Sequence, residues 1–277
     1  MKRRWIQLLS AVLYNCHFTG FFTGKISKWN GKGVCVPGLN CYSCPGAVAA
    51  CPLGSLQNAI AGSAYRFPLY MLGLLLLFGL FLGRLICGFL CPFGFLQDLL
   101  HKIPFPKIKK SRVTRVLSYL KYVILIVFVI VIPLVQLAPG FCEYICPAGT
   151  LEAGIPLVLM NELLQSKIGF LFSWKVFVLA AILLLCMFCF RAFCRFLCPL
   201  GAIYSFFNPI AFFGIRVDQE KCVGCNLCVK DCKMDVRCVG DRECIECGEC
   251  QKKCPHDAIS YGLRIRKPEG GKACRHS

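Results

Sequence analysis

Two stretches near the C-terminus, CVGCNLCVKDC and CIECGECQKKCP, carry Cys222, Cys225, Cys228 and Cys232, then Cys244, Cys247, Cys250 and Cys254 ahead of Pro255. Each is a Cys-x2-Cys-x2-Cys-x3-Cys run, a spacing that gathers thiolates around an iron–sulfur cubane; where two such runs occur together, the fourth cysteine of each serves the other cluster. The runs therefore predict one [4Fe–4S] cluster on Cys222, Cys225, Cys228 and Cys254, and a second on Cys244, Cys247, Cys250 and Cys232. Zinc would be served by paired Cys-x2-Cys knuckles and does not call for two uninterrupted runs of four. After Cys232 the chain reads CKMD in place of Cys-Pro, a change expected to alter the local turn more than ligation. Cys238 and Cys274 have no place in the pattern and read as free thiols.

A second cysteine pattern recurs upstream. CPLGSLQNAI at Cys51, CPFGFLQDLL at Cys91, CPAGTLEAGI at Cys146 and CPLGAIYSFF at Cys198 share the form Cys-Pro-x-Gly followed by an apolar segment, so one unit occurs four times. Two Cys-x3-Cys-Pro arms, Cys87/Cys91 and Cys194/Cys198, supply the four thiolates of a further [4Fe–4S] site that neither arm completes alone. The proline suits the first position of a helix, where no amide hydrogen is left unpaired. Its cysteine then sits at the positive end of the helix dipole, which favours a thiolate. Gly94 and Gly201 either let backbone approach the site or serve packing, and Arg84, Arg191 and Arg195 flank it as interface anchors or as counter-charges. A fourth site takes Cys142, Cys146 and Cys51; because Ala47 occupies the equivalent fourth position, its last thiol comes from NCYSCPGAVAACPLG, as Cys44 with Cys41 as the substitute. Cys35 is then a spare or a disulfide partner for Cys41.

The elements that position these thiols are apolar. The chain has 277 residues, 57% of them hydrophobic and 17% charged, a composition of membrane proteins. Its 23 cysteines stand in metal-ligand spacings, and no cleavable signal peptide is expected. Four segments, 5–22, 67–86, 119–138 and 172–190, approach the about 20 residues that a membrane-crossing helix needs. The first is interrupted by Asn15, Cys16 and His17, which read as helix-packing polar residues or as an intramembrane functional group, and the stretch 151–165 reads as an interfacial or re-entrant helix. Basic residues before the first segment and between the second and third place both termini in the cytoplasm by the positive-inside rule. Cys51 and Cys146 then lie on the outer side and Cys91 and Cys198 on the inner, in two parallel halves related by a pseudo-two-fold axis along the membrane normal. Residues 1–215 carry a charge of +15 and residues 216–277 only +3, which argues against nucleic acid as a partner.

The expected architecture is thus an α-helical integral membrane protein with four spans over 1–215, a small α+β two-cluster ferredoxin domain over 216–262, and a basic tail over 263–277. Together the spans, the repeated Cys-x3-Cys-Pro motifs and the terminal runs resemble the NapH/NosR-type membrane polyferredoxins over nearly the whole chain. That resemblance implies electron transfer between a quinol or cytoplasmic donor and an extracytoplasmic acceptor, through redox partner proteins, by a multi-pass protein of the cell membrane. No nucleotide-binding glycine fingerprint or acid/base pair is evident, and there are only four histidines, so an electron-transfer subunit is expected and not a stand-alone catalyst. A redox-sensing regulator and a membrane scaffold with structural clusters are the rival readings. The inner and outer sites are expected to be separated by much of a bilayer of about 30 Å, so that both are sunk toward the midplane or something bridges them; Cys16, Cys186 and Cys189 could hold such a further centre or act as small apolar side chains.

Overall fold

The computed structural model describes residues 2–24, 26, 30–62, 69–108 and 110–264. Cys274 and the basic tail beyond Arg264 lie outside the described residues, as does Phe67, where the second apolar segment is expected to begin. The described chain is mostly helical, with one antiparallel strand pair, Phe213–Val217 and Ile259–Leu263, in which Ile215 faces Tyr261.

Two helices, Arg112–Gln136 and Phe170–Phe188, are long and apolar enough to cross a membrane, and only 28% and 17% of their apolar windows are buried, so their surfaces face outward. The first starts earlier than the expected 119 because Ser111 and Thr114 form a reciprocal cap, each side chain accepting the other's backbone amide. Within it, Leu125–Val131 widens to a π-helix just ahead of Pro133, where a regular turn would set the proline ring against the carbonyl of Val129.

The other two expected spans are shorter. Leu69–Leu82 ends at Gly83, whose φ of +50° breaks the helix before Leu85–Phe89. The segment 5–22 is not one helix: Lys2–Tyr14 and Thr19–Thr23 flank a break at the polar triplet. There Asn15 Nδ2 donates to Asn40 Oδ1 at 2.9 Å, His17 Nδ1 lies 3.2 Å from the carbonyl of Pro45, and the amide of Val48 donates to the carbonyl of Tyr14. Polar side chains that bond elsewhere compete with helix continuation, so the triplet ends the helix and anchors the 40–48 loop. The stretch 151–165 falls in the helical run 147–160 and the short helix Glu162–Gln165.

The core forms where the Cys-Pro helices meet. Pro52–Ala61, Pro92–Leu100 and Pro199–Phe207 each begin with proline after an extended cysteine, as the motif predicts. Phe93 and Phe193 meet edge to face across the two halves, with centroids 5.0 Å apart.

Candidate iron–sulfur sites

In the C-terminal region the two runs interleave. Cys222, Cys225, Cys228 and Cys254 line one cavity, closed by Val217, Pro255 and Ile259. Cys232 sits instead with Cys247 and Cys250, close enough that its charge raises Cys244 and Cys250 behind the larger effect of burial. Left-handed turns bring the second loop round: Gly248 has φ +75°, and a Cβ there would lie 2.4 Å from the Tyr261 hydroxyl, which donates to the carbonyl of Glu246 at 2.7 Å. The CKMD departure does more than alter a turn. Met234 and Asp235 are buried, and Asp235 pairs with Arg195 and accepts from the Thr114 hydroxyl, which docks this region on the apolar part.

Cys87, Cys91, Cys194 and Cys198 share a second cavity, lined also by Pro37, Gly38, Leu39 and Tyr204. Burial pushes the thiols of Cys91, Cys194 and Cys198 up, the neighbouring Cys87 charge adds to each, and Arg191 and Arg84 pull Cys194 back down. The amide of Gly201 donates to Cys198 Sγ at 3.3 Å, one of the unpaired donors of a helix N-terminus. Arg84 and Arg191, three residues before the first cysteine of each arm, are fully buried and each reaches the opposite arm. Arg84 Nη2 donates to the Cys194 carbonyl at 3.2 Å, and Arg191 Nη1 to the Cys87 carbonyl at 2.5 Å. The interface-anchor reading of these arginines is therefore corrected: Asp98 pairs with Arg191, Glu243 with Arg84 and Asp235 with Arg195, all inside the protein.

The third set departs from the expectation in one ligand. Cys51, Cys142 and Cys146 come together with Cys41, not Cys44. A Cβ on Gly149 would touch Cys146 Sγ at 3.7 Å and Cys41 Sγ at 3.8 Å. Cys44 Sγ faces Asn15 Oδ1 at 3.6 Å, held there because the Cys44 carbonyl accepts from the buried Lys32 ammonium at 3.2 Å. Burial and neighbouring charges raise the Cys41 and Cys142 thiols to about 12, so thiolates there require cationic charge bound among them. Glu152 accepts from the Cys41 amide at 2.8 Å, and burial raises its carboxyl to about 7 against that hydrogen bond.

These sets suit a polynuclear group. Around one zinc, at a Zn–S distance of about 2.3 Å, four sulfurs would lie within about 4 Å of one another; among the described residues no three Cys, His, Asp or Glu side chains converge on such a single-ion site. Instead two sets of four cysteines each ring a shared cavity, as a larger cluster requires.

The comparisons agree with that chemistry. A 4Fe–4S binding domain model matches residues 63–112, 121–175 and 170–214, just over half of the chain, and a second 4Fe–4S binding domain model matches 239–260. The chain belongs to the 4Fe–4S binding family. Two of its relatives, the uncharacterized proteins MJ0749 and MJ0750 of Methanocaldococcus jannaschii, are each 30% identical, over 56% and 78% of this chain and 53% and 88% of their own lengths. The methylamine utilization ferredoxin-type protein MauN of Paracoccus denitrificans is 26% identical over 64% of this chain and 58% of its own. The chain thus spans about half of MJ0749 and most of MJ0750. No solved structure matches it.

Other cysteines of this 4Fe–4S binding protein are not among the four of any set. Cys35 is buried against Ser55 Oγ and Met71 Sδ, each at 3.4 Å, and no disulfide forms among the described residues, so of its two expected readings the Cys41 pairing is not seen there. Cys16 is exposed, Cys186 faces Gln97 Oε1 and Cys189 faces Arg195, so these three are not gathered into one site. Leu39 and Asn40, which face the sets through their backbone, carry no sequence signal. Sequence reasoning missed Gln57 and Gln97, whose signal was a shared column of the aligned repeat.

Proposed function

We propose that the protein conducts electrons across the cell membrane through up to four [4Fe–4S] sites, between a quinol or cytoplasmic donor and an extracytoplasmic acceptor. Cys222, Cys225, Cys228 and Cys254 hold the first, and Cys232, Cys244, Cys247 and Cys250 the second. Cys87, Cys91, Cys194 and Cys198 hold the third, and Cys41, Cys51, Cys142 and Cys146 the fourth. A bound [4Fe–4S] cluster supplies one-electron redox chemistry. Four spans over 1–215, cytoplasmic termini and a soluble two-cluster domain over 216–262 belong to the same reading.

One observation carries it. The backbone of Leu39 faces the Cys91 thiol, and that of the next residue, Asn40, faces the Cys51 thiol. Leu39 lines the cavity of the inner set, while Cys41 stands in the outer set only two residues on, a chain reach of at most about 7 Å. A 35–51 loop that reaches both sets thus brings them within a short chain distance, which supports transfer between them. On the other side, a Cβ on Gly88, between Cys87 and Cys91, would lie 2.3 Å from the Ile245 carbonyl oxygen, so the second run sits directly on the inner arm.

In proteoliposomes with residues 216–262 outward, dithionite or a reduced ferredoxin should reduce an acceptor enclosed in the lumen. Cys87→Ser or Cys198→Ser should abolish that transfer while the terminal module still becomes reduced, and Cys146→Ser should leave the inner centre reducible yet stop delivery. Lumenal reduction at the parental rate in both inner-site variants would overturn the conduit and leave the scaffold reading.

A further inference from the structure

In the aligned repeat the sixth residue after each Cys-Pro cysteine is Gln57, Gln97, Glu152 or Tyr204. Each of these reaches away from its own helix, toward the other half of the protein. Gln97 Nε2 donates to Cys194 Sγ at 3.0 Å and to the Phe93 carbonyl at 3.3 Å, while its Oε1 accepts from the Cys194 amide at 3.4 Å. Gln57 repeats the arrangement at the outer set: Nε2 donates to Cys142 Sγ and to the Leu53 carbonyl, both at 3.3 Å, and Oε1 accepts from the Phe141 amide at 2.9 Å. Both side chains are fully buried. In each, a backbone carbonyl on one side and a backbone amide on the other fix which end carries the N–H.

We propose that Gln57 and Gln97 are positioning residues that set the reduction potentials of the outer and inner centres, each donating an amide N–H to the first cysteine of the opposing Cys-x3-Cys-Pro arm. The proposal rests on the assignment of Cys142 and Cys194 as cluster ligands. Hydrogen bonds to ligand sulfurs are among the factors that tune cluster potential, and in a buried site they act with little screening. Reduction adds one negative charge, so a donor favours the reduced state and raises the potential.

The second half uses the same position differently. Glu152 accepts from the Cys41 amide, and the buried Tyr204 hydroxyl donates to the Pro37 carbonyl at 3.0 Å. Those two hold the ends of the 37–41 segment that lies between the sets, so the same repeat position serves the thiols from one half and the bridge from the other.

Anaerobic membrane protein with measured iron content, titrated potentiometrically and read by EPR, tests this. Gln97→Leu should lower the inner centre's potential enough to change its reduced-to-oxidised ratio about tenfold at the parental midpoint, equivalent to about 59 mV for one electron, with the C-terminal centres unmoved. Gln57→Leu should do the same to the outer centre alone. Gln97→Glu keeps the size and the oxygen that faces the Cys194 amide, so it reads the same loss of donor should the leucine variant fail to fold, with a larger downward shift from the added charge. Intact iron with unmoved potentials in these variants would overturn the proposal. Parental protein with iron in residues 222–254 alone would instead overturn the ligand assignment on which it rests.

Discussion

Cys41→Ser should remove one cluster, about four iron atoms, whereas Cys44→Ser should leave the iron content unchanged. The two thiols are three residues apart in one loop and equally available to a reading of the sequence, but their surroundings differ. Cys41 stands beside Cys51, Cys142 and Cys146, with its amide held by Glu152. Cys44 faces Asn15, and its carbonyl is tied to Lys32. A site left with three thiolates lacks the ligand number of a [4Fe–4S] cluster, so the expected effect is loss and not weakening. Iron analysis and EPR of anaerobically purified single variants check it, with Cys146→Ser as the reference for loss of the outer centre. Full iron in the Cys41 variant together with depletion in the Cys44 variant would restore the assignment expected from sequence.

What could be read from the sequence follows from how local each feature is. The grouping of Cys254 with Cys222, Cys225 and Cys228, and of Cys232 with Cys247 and Cys250, was legible because a fixed ligand number and loop length set that spacing. The Cys-Pro helix starts were legible because proline's missing amide suits the first helical position. Contacts between distant parts of the chain were not. Arg84 and Arg191 could be read as interface anchors or as counter-charges because their carboxylate partners, Glu243 and Asp98, are 159 and 93 residues away. The break at Asn15–His17 depends on Asn40 and Pro45, and the proximity of the two sets depends on a loop with no periodicity to betray its course. Where structure is made by distant backbone groups, composition and spacing carry no trace of it.

Glu243→Gln is expected to release the C-terminal region from the apolar part while leaving its cysteines intact. The Glu243 carboxylate bridges two cations: Arg84 Nη1 at 2.9 Å and Lys121 Nζ at 2.5 Å, both with fully buried side chains. Removing one partner of a buried charge set costs about 3–5 kcal/mol, because the remaining charges stay desolvated without compensation. Here two cations are left at once, and the docked state should lose more than about a hundredfold in population at about 1.4 kcal/mol per factor of ten. Faster amide hydrogen exchange and protease cleavage near 208–215, with iron in residues 222–254 retained and transfer to the inner centre lost, are the expected readouts. Acid supplies a second test. Burial pushes the Glu243 carboxyl up, but Arg84 and Lys121 outweigh it and hold the group below the ordinary carboxylate range, with Tyr122 and the Arg242 carbonyl also nearby. A carboxyl lowered by folding stabilises the docked state fully above its ordinary value of about 4.3, and that contribution is lost as pH falls through the lowered value. Docking of the parental protein should therefore weaken with a carboxylate titration below about pH 4, and the Gln variant should lack that component. A Gln variant that stays docked and keeps parental transfer would show that the Arg84–Glu243–Lys121 set does not hold the two parts together.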